Sequence, residues 1–236
     1  MDILGKALLD FQKGMYTEDI KTISSLDEED VMSIPYLFRD FKEMPPIEQK
    51  ALELCQGKVL DVGCGTGSHS LYLQKNGFEV TALDQSPGAI EVCRKRGIRN
   101  SIQKEFLLYS ETGFDTLLFL MNGIGISGKL QKLSSFFRHA NRLLNPDGQI
   151  LLDSSNIIYM FDKDEDGGYW IPGNVDYYGE VQFQMSYKNE KGPIFDWLYV
   201  DFETLADYAK KENFNCEVIA KGSHYDYLAR LSPKKY

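Results

Sequence analysis

The sequence predicts an α/β protein built on a doubly wound, mostly parallel sheet. Three observations carry that expectation. From Gly57 onward, short apolar runs of strand length alternate with segments of helical periodicity, as in successive βα units. The run Thr116–Met121 is apolar at every position after the first, as a central strand covered on both faces requires. Finally, Lys58–Val62 leads through a loop with Gly63, Gly65 and Gly67 into a helix, and the next strand ends in Asp84. Strand, glycine loop, helix N-terminus and terminal acid together make a cradle of the nucleotide type.

The length of 236 residues suits one such domain with a modest embellishment. A net charge of −9 weighs against a protein that grips a polyphosphate backbone through broad electrostatics. Cys55, Cys64, Cys93 and Cys216 are scattered, without a close pair or metal-type spacing. Reduced thiols in a cytoplasmic protein, with no metal site, are therefore expected. The N-terminus carries acids where a signal peptide needs a basic end, and no apolar stretch approaches the ~20 residues of a membrane span. A soluble protein, monomer or homodimer, follows.

Residues 1–56 read as a helical preface. Ile3, Ala7, Leu8 and Phe11 have helical spacing, and Gly14 closes that segment. The acidic stretch Leu26–Asp30 reads as a solvated helix start, and Val31–Phe41 continues it. Pro45-Pro46 breaks the chain before a helix over Ile47–Leu54. Such a preface either covers the sheet or closes over a ligand as a lid.

Residues 57–156 form the expected cofactor-binding core. After the first strand and the helix Ser68–Lys75, Gly77 turns the chain into a strand at Glu79–Leu83. Ser86 and Pro87 are N-cap and first-turn residues for a helix to Arg96, and a third strand follows near Asn100–Lys104. The fourth strand exits at Asn122-Gly-Ile-Gly125. Leu130, Leu133, Phe137, Ala140 and Leu144 define an amphipathic helix, with His139 placed at its surface. Asn145–Gly148 stops it before a fifth strand at Gln149–Leu152.

Residues 157–202 break the rhythm and read as an inserted substrate-side flap. They hold Trp170 and Trp197, many tyrosines and the acidic loop Asp162–Gly168. Val181–Tyr187 and Ile194–Val200 flank Lys188–Pro193 as a hairpin. Residues 203–236 supply a helix at Thr204–Lys211 and two strands, near Cys216–Lys221 and Tyr225–Leu231. Only Gly222-Ser-His224 joins these strands, so they are antiparallel neighbours.

Two ligands compete for the glycine loop. A dinucleotide needs a third glycine where Ser68 stands, and Asp61 is awkward beside a pyrophosphate. An acid there suits a ligand with an amino group and a sulfonium, as in S-adenosylmethionine. Asp84 at its strand tip can accept both ribose hydroxyl hydrogens. A nicotinamide oxidoreductase fits poorly.

With Val59-Leu-Asp61-Val-Gly63-Cys-Gly65-Thr-Gly67, Asp84, Phe114-Asp115 and Arg142-Leu-Leu-Asn-Pro-Asp-Gly148, the sequence resembles the class I S-adenosylmethionine-dependent methyltransferases over residues 55–153. The resemblance implies a seven-stranded sheet in the order 3-2-1-4-5-7-6 with the last strand antiparallel. It implies that Asp61, Gly63, Cys64, Gly65 and Gly67 hold the methionyl part, Asp84 the ribose, and Gln85, Glu105 and Phe106 the adenine. Asn122 occupies the position that often faces the reacting centre. Further candidates for a base or positioning group are Tyr159 and Tyr177, then Tyr178 and His224, whereas His69 reads as a packing or solvent residue. The expected activity is methyl transfer to an O, N or C nucleophile of a small molecule, with an RNA or protein acceptor, or cofactor binding without transfer, as alternatives. No Asn-Pro-Pro-Tyr motif and no cysteine pair for covalent pyrimidine chemistry is present.

Overall fold

A computed structural model describes residues 1–171, 173 and 175–235, so inserted positions 172 and 174 lie outside the described residues. The chain starts with α1 (Ile3–Gln12), whose Ile3, Ala7 and Leu8 are buried as their spacing requires. Asp2 caps this helix through Gly5 N. It is followed by β1 (Ile20–Ser24) and β2 (Glu29–Met32), then α2 (Ile34–Leu37) and α3 (Pro46–Glu53). The helical ends of the preface are thus as expected, but its centre is an antiparallel hairpin. The acidic stretch Leu26–Asp30 is the tip and outgoing strand of that hairpin, with Asp27 left-handed at φ 58° and Ser24 Oγ accepting from Leu26 N and Glu28 N. Tertiary pairing overrides the local helical reading here, because β1 is completed by a strand from the distant insertion.

The core runs β3 (Lys58–Val62), α4 (Ser68–Lys75), β4 (Glu79–Asp84), α5 (Pro87–Lys95) and β5 (Ser101–Gln103). It continues through β6 (Phe114–Phe119), α6 (Leu133–Leu143) and β7 (Leu144–Ser155). The insertion contributes β8 (Glu180–Tyr187) and β9 (Glu190–Leu198), and the chain ends with α7 (Phe202–Lys211), β10 (Phe214–Lys221) and β11 (Asp226–Pro233). The main sheet is ordered β5-β4-β3-β6-β7-β11-β10. Counting only its own strands along the chain, that is 3-2-1-4-5-7-6. β11 runs antiparallel to both β7 and β10, and the remaining pairs are parallel.

Alternation along β6 shows how the layers are built. Leu117 and Phe119 pack with Phe136, Phe137 and Ala140 of α6, while Leu118 and Leu120 pack with Ala51 and Leu52 of α3. β6 buries both faces, so each side of the sheet needs its own helices. His139 is a correction to the sequence reading. It is buried, its ring stands edge-on to Phe106 at 4.9 Å, and burial lowers its pKa, leaving it neutral. The Asn145–Gly148 stretch also lies within β7 rather than before it, and the Asn145 amide donates to Asp115 Oδ1.

A second sheet has the order β2-β1-β8-β9. Its hairpin turn is tighter than expected: Lys188-Asn189 make the turn, with Lys188 at φ 54°, and Gly192-Pro193 lie inside β9. Proline is tolerated there because β9 is an edge strand. One face of this sheet buries Ile20 and Tyr187 with Ile3, Ala7 and Leu8 of α1. The preface and the insertion, far apart in sequence, are one structural layer.

Candidate functional site

The glycine loop between β3 and α4 is shaped by three left-handed glycines, Gly63 (φ 73°), Gly65 (φ 53°) and Gly67 (φ 77°). A side chain at Gly67 would overlap Ile98 Cδ1 and come within 3.0 Å of Cys93 Sγ, whereas one at Gly65 would meet nothing within 4 Å. Gly67 is therefore a packing requirement, and Gly65 opens the backbone to a ligand. Gly63 N and Cys64 N both donate to Leu83 O, at 2.8 and 3.1 Å, tying the loop to β4. Cys64 and Cys93, well separated in sequence, place their buried sulfurs 3.7 Å apart beneath the loop. The preface reaches the same loop: Ser68 Oγ donates to Leu37 O, and Arg96 joins Thr66 O to Phe38 O.

Asp84 ends β4 with Oδ2 accepting from Gly65 N at 2.9 Å and Oδ1 accepting from Ser86 N at 2.8 Å. Burial raises its pKa against the pull of those amides. Gln85 beside it is exposed. Lys104 N donates to Asp84 O, which brings the exposed Glu105 alongside. Phe106 departs from its expected place: its ring is buried in the core against Phe119 and Phe136, and its carbonyl accepts from Tyr109 N. The exposed apolar side chains of that turn are Leu107 and Leu108, which sequence reading passed over.

Asp61 is buried at the end of β3 and accepts from Ser70 Oγ at 2.6 Å, and burial raises its pKa. Behind it lies a cluster that sequence reading missed. Glu48 on α3 accepts from Arg39 Nη2 with both carboxylate oxygens, and its Oε2 is 2.8 Å from His69 Nε2. Arg39 also donates to Tyr36 O and lies over the Tyr36 ring at 4.0 Å. Burial raises the Glu48 pKa, but His69 and Arg39 outweigh it and hold the carboxyl below its usual range. The only signal in sequence was a lone arginine inside the apolar run Ile34–Phe41. His69 is buried, and its ring nitrogen is committed to Glu48.

Asn122 follows β6 with φ 56°, and Met121 before it has φ 62°. Its amide Nδ2 donates to Leu198 O at 3.3 Å. That carbonyl can only accept, so Oδ1 faces away from it; this oxygen is buried without a hydrogen-bond partner among the described residues. Asn122 N and Gly123 N both donate to Asp153 Oδ1 from the end of β7. A 3-10 turn over Gly123–Ser127 brings Gly125 against the indole of Trp197. From there Trp197, Phe195, Phe183 and Tyr199 form a half-buried aromatic wall on β8, β9 and the residue after it, with successive centroids 6.1–6.4 Å apart.

The tyrosine candidates lie elsewhere. Tyr177 donates its hydroxyl to Asp201 Oδ2 at 2.6 Å and accepts from Asp201 N at 3.0 Å, and burial drives its pKa far up. It acts as a protonated tie at the start of α7. Tyr178 joins the same knot through Asn156 and Asp201. Tyr159 is exposed and stacks on Tyr225, centroids 4.8 Å apart, and His224 is exposed in the last hairpin turn.

Asp61, Asp84, Asp153 and Glu48 are thus buried near one loop, with Arg39 paired to Glu48 and Arg96 bonded to the loop itself. An open glycine backbone, a ribose-type acid and an excess of buried carboxylate fit S-adenosylmethionine, whose methionyl end carries a sulfonium and an ammonium.

Comparison with known proteins agrees. A family model described as "Methyltransferase domain" matches residues 59–148. A crystal structure of an S-adenosylmethionine-dependent methyltransferase from Bacteroides fragilis, in complex with S-adenosyl-L-homocysteine, is 45% identical with a TM-score of 0.92, covering 99% of this chain and 95% of that one. Ubiquinone biosynthesis O-methyltransferase of Xanthomonas oryzae is 31% identical over 113 residues, 44% of this chain and 46% of that protein. A tRNA (uracil(54)-C(5))-methyltransferase of Pyrococcus abyssi is 31% identical over 115 residues, 45% of this chain and 28% of that protein. The matches to these curated relatives span less than half of their length. The full-length likeness, the glycine loop and the buried acids place this chain in the family of S-adenosylmethionine-dependent methyltransferases.

Proposed function

We propose that the acceptor of this methyltransferase is a small molecule, seated against the aromatic wall with its nucleophile hydrogen-bonded to Asn122 Oδ1. The observation that supports this reading most is the contact of that wall with the Asn122 turn, through Trp197 on Gly125 and Leu198 O on Asn122 Nδ2. A half-buried aromatic face with one convergent polar atom suits a small ligand. The cofactor lies, in this reading, over Gly63–Gly67, with Asp61 toward its methionyl end, Asp84 on the ribose, and Gln85 and Glu105 beside the adenine. S-adenosylmethionine supplies an already activated sulfonium methyl. The protein's task is alignment, and holding a nucleophile in line is worth ~7–11 kcal/mol. Asn122 fixes the nucleophile by accepting its N–H or O–H, and the wall excludes water from its other side. Tyr177 positions Asp201 and the start of α7 instead of taking a proton, and Tyr159 lines the outer rim with Tyr225.

The test is acceptor capture. The protein is incubated with S-adenosylmethionine labelled in the methyl group and, in parallel, with a small-metabolite extract, bulk tRNA and bulk protein. Label entering the small-molecule fraction, and lost in Trp197→Ala while S-adenosylhomocysteine affinity is kept, is the expected result. Label entering tRNA or protein instead would overturn the reading.

A further inference from the structure

We propose that Asp153 is the positioning residue of the methyl-transfer centre: its carboxylate clamps the strained turn after β6 and so aims Asn122 at the reacting nitrogen or oxygen. This rests on the role given to Asn122 above. Two consecutive non-glycine residues, Met121 and Asn122, are left-handed at φ 62° and 56°. That conformation is costly for side chains with a Cβ and persists where the surroundings over-determine it. Here Asp153 Oδ1 accepts from Asn122 N at 2.8 Å and from Gly123 N at 3.4 Å, beside the bonds from Asn122 Nδ2 to Leu198 O and from Gly125 N to Asn122 O. Successive amides converging on an anion form a nest. The parallel register, Phe119 opposite Leu152, sets Asp153 beside the point where β6 ends, so the clamp follows from strand pairing.

The carboxylate is 8% exposed, and its electrostatic neighbours are Glu48 from α3, His69 from α4 and Tyr227 from β11. The charge of Glu48 is itself engaged by Arg39. The turn amides are therefore the main donors to the Asp153 charge, and burial raises its pKa to about 7. Protonation weakens the carboxylate as an acceptor and releases the turn, which turns the aim of Asn122 into a function of pH. A carboxylate with a merely structural role would leave the methyl position indifferent to that proton.

The test uses the full chain without an acceptor. In ligand-free protein, the backbone amide resonances of Asn122 and Gly123 are expected to titrate together with a midpoint of about 7, and Asp153→Asn, which keeps shape and acceptor oxygen, abolishes that titration. Calorimetry is then run at pH about 8, above the ordinary carboxylate range, with S-adenosylhomocysteine and with sinefungin, which carries an amine where the methyl would be. Asp153→Asn should keep S-adenosylhomocysteine affinity and lose about tenfold for sinefungin, the worth of one hydrogen bond to a charged group. Asn122→Ala should lose as much, and the double variant no more. Flat wild-type amides, or an unchanged sinefungin-to-homocysteine preference in Asp153→Asn, would overturn the proposal. Absent homocysteine binding by the wild type would instead overturn the cofactor site, and the amide titration would still judge the clamp.

Discussion

Replacing Gly67 with alanine tests the reason a glycine stands there. At φ 77° a Cβ meets its own backbone, which costs about 1–2 kcal/mol for an L residue. The new methyl would also overlap Ile98 Cδ1 and press within 3.0 Å of Cys93 Sγ, both in a buried cluster. Overpacking of that kind adds about 1–3 kcal/mol. Gly67→Ala should therefore destabilise the fold by about 2–5 kcal/mol. Ile98→Val removes the one atom that overlaps most, and alone costs about 0.5–1.5 kcal/mol. If the reasoning is right, the two changes are not additive. The double variant should be more stable than the sum predicts by about 1–2 kcal/mol, because the backbone cost remains and the clash does not. Urea unfolding of the four proteins, followed by far-UV circular dichroism, closes this cycle. Additivity within about 0.5 kcal/mol would refute the assignment of the cost to Ile98.

Other outcomes follow from the same geometry. Asp84→Ala should weaken S-adenosylhomocysteine binding by about 1.5–3 kcal/mol, since it removes a charged acceptor from both the ribose and Gly65 N; calorimetry at neutral pH checks it. Glu48→Gln leaves Arg39 buried beside a neutral amide and should cost about 3–5 kcal/mol in denaturant unfolding, whereas Glu48→Leu with Arg39→Met should cost far less. Asp153 is an acid whose folded-state pKa stands at about 7, above its ordinary value of 3.8. The folded chain then holds a proton that the unfolded chain has released, so this group's contribution to stability is full below about pH 4 and is lost as pH rises to about 7. Asp153→Asn should flatten that part of the pH–stability profile. Gly125→Ala should disturb acceptor methylation through Trp197 while cofactor affinity holds.

The parts of this protein legible in the sequence are those where neighbouring residues decide. The βα alternation, the left-handed glycines of the 63–67 loop and the Ser86-Pro87 helix start express local propensity and packing periodicity, which a linear pattern carries. Asp61 and Asp84 were legible for the same reason, standing at strand ends next to that loop. What needed the fold was every feature made by residues distant in sequence. β1 looked helical because its partner, β8, lies more than 150 residues away. The Arg39–Glu48–His69 cluster unites a linker with the helices α3 and α4, and Phe106 proved to be core because α6 folds over it. Asp153 stands just past the expected fifth strand, and only parallel pairing sets it against the Asn122 turn. The sequence by itself determined the glycine loop and the acids beside it, because that loop is a local conformation set by Gly63, Gly65 and Gly67. Only the tertiary structure decided the acceptor side, because burial, charge balance and the joining of preface to insertion are properties of contacts that no single stretch of chain contains.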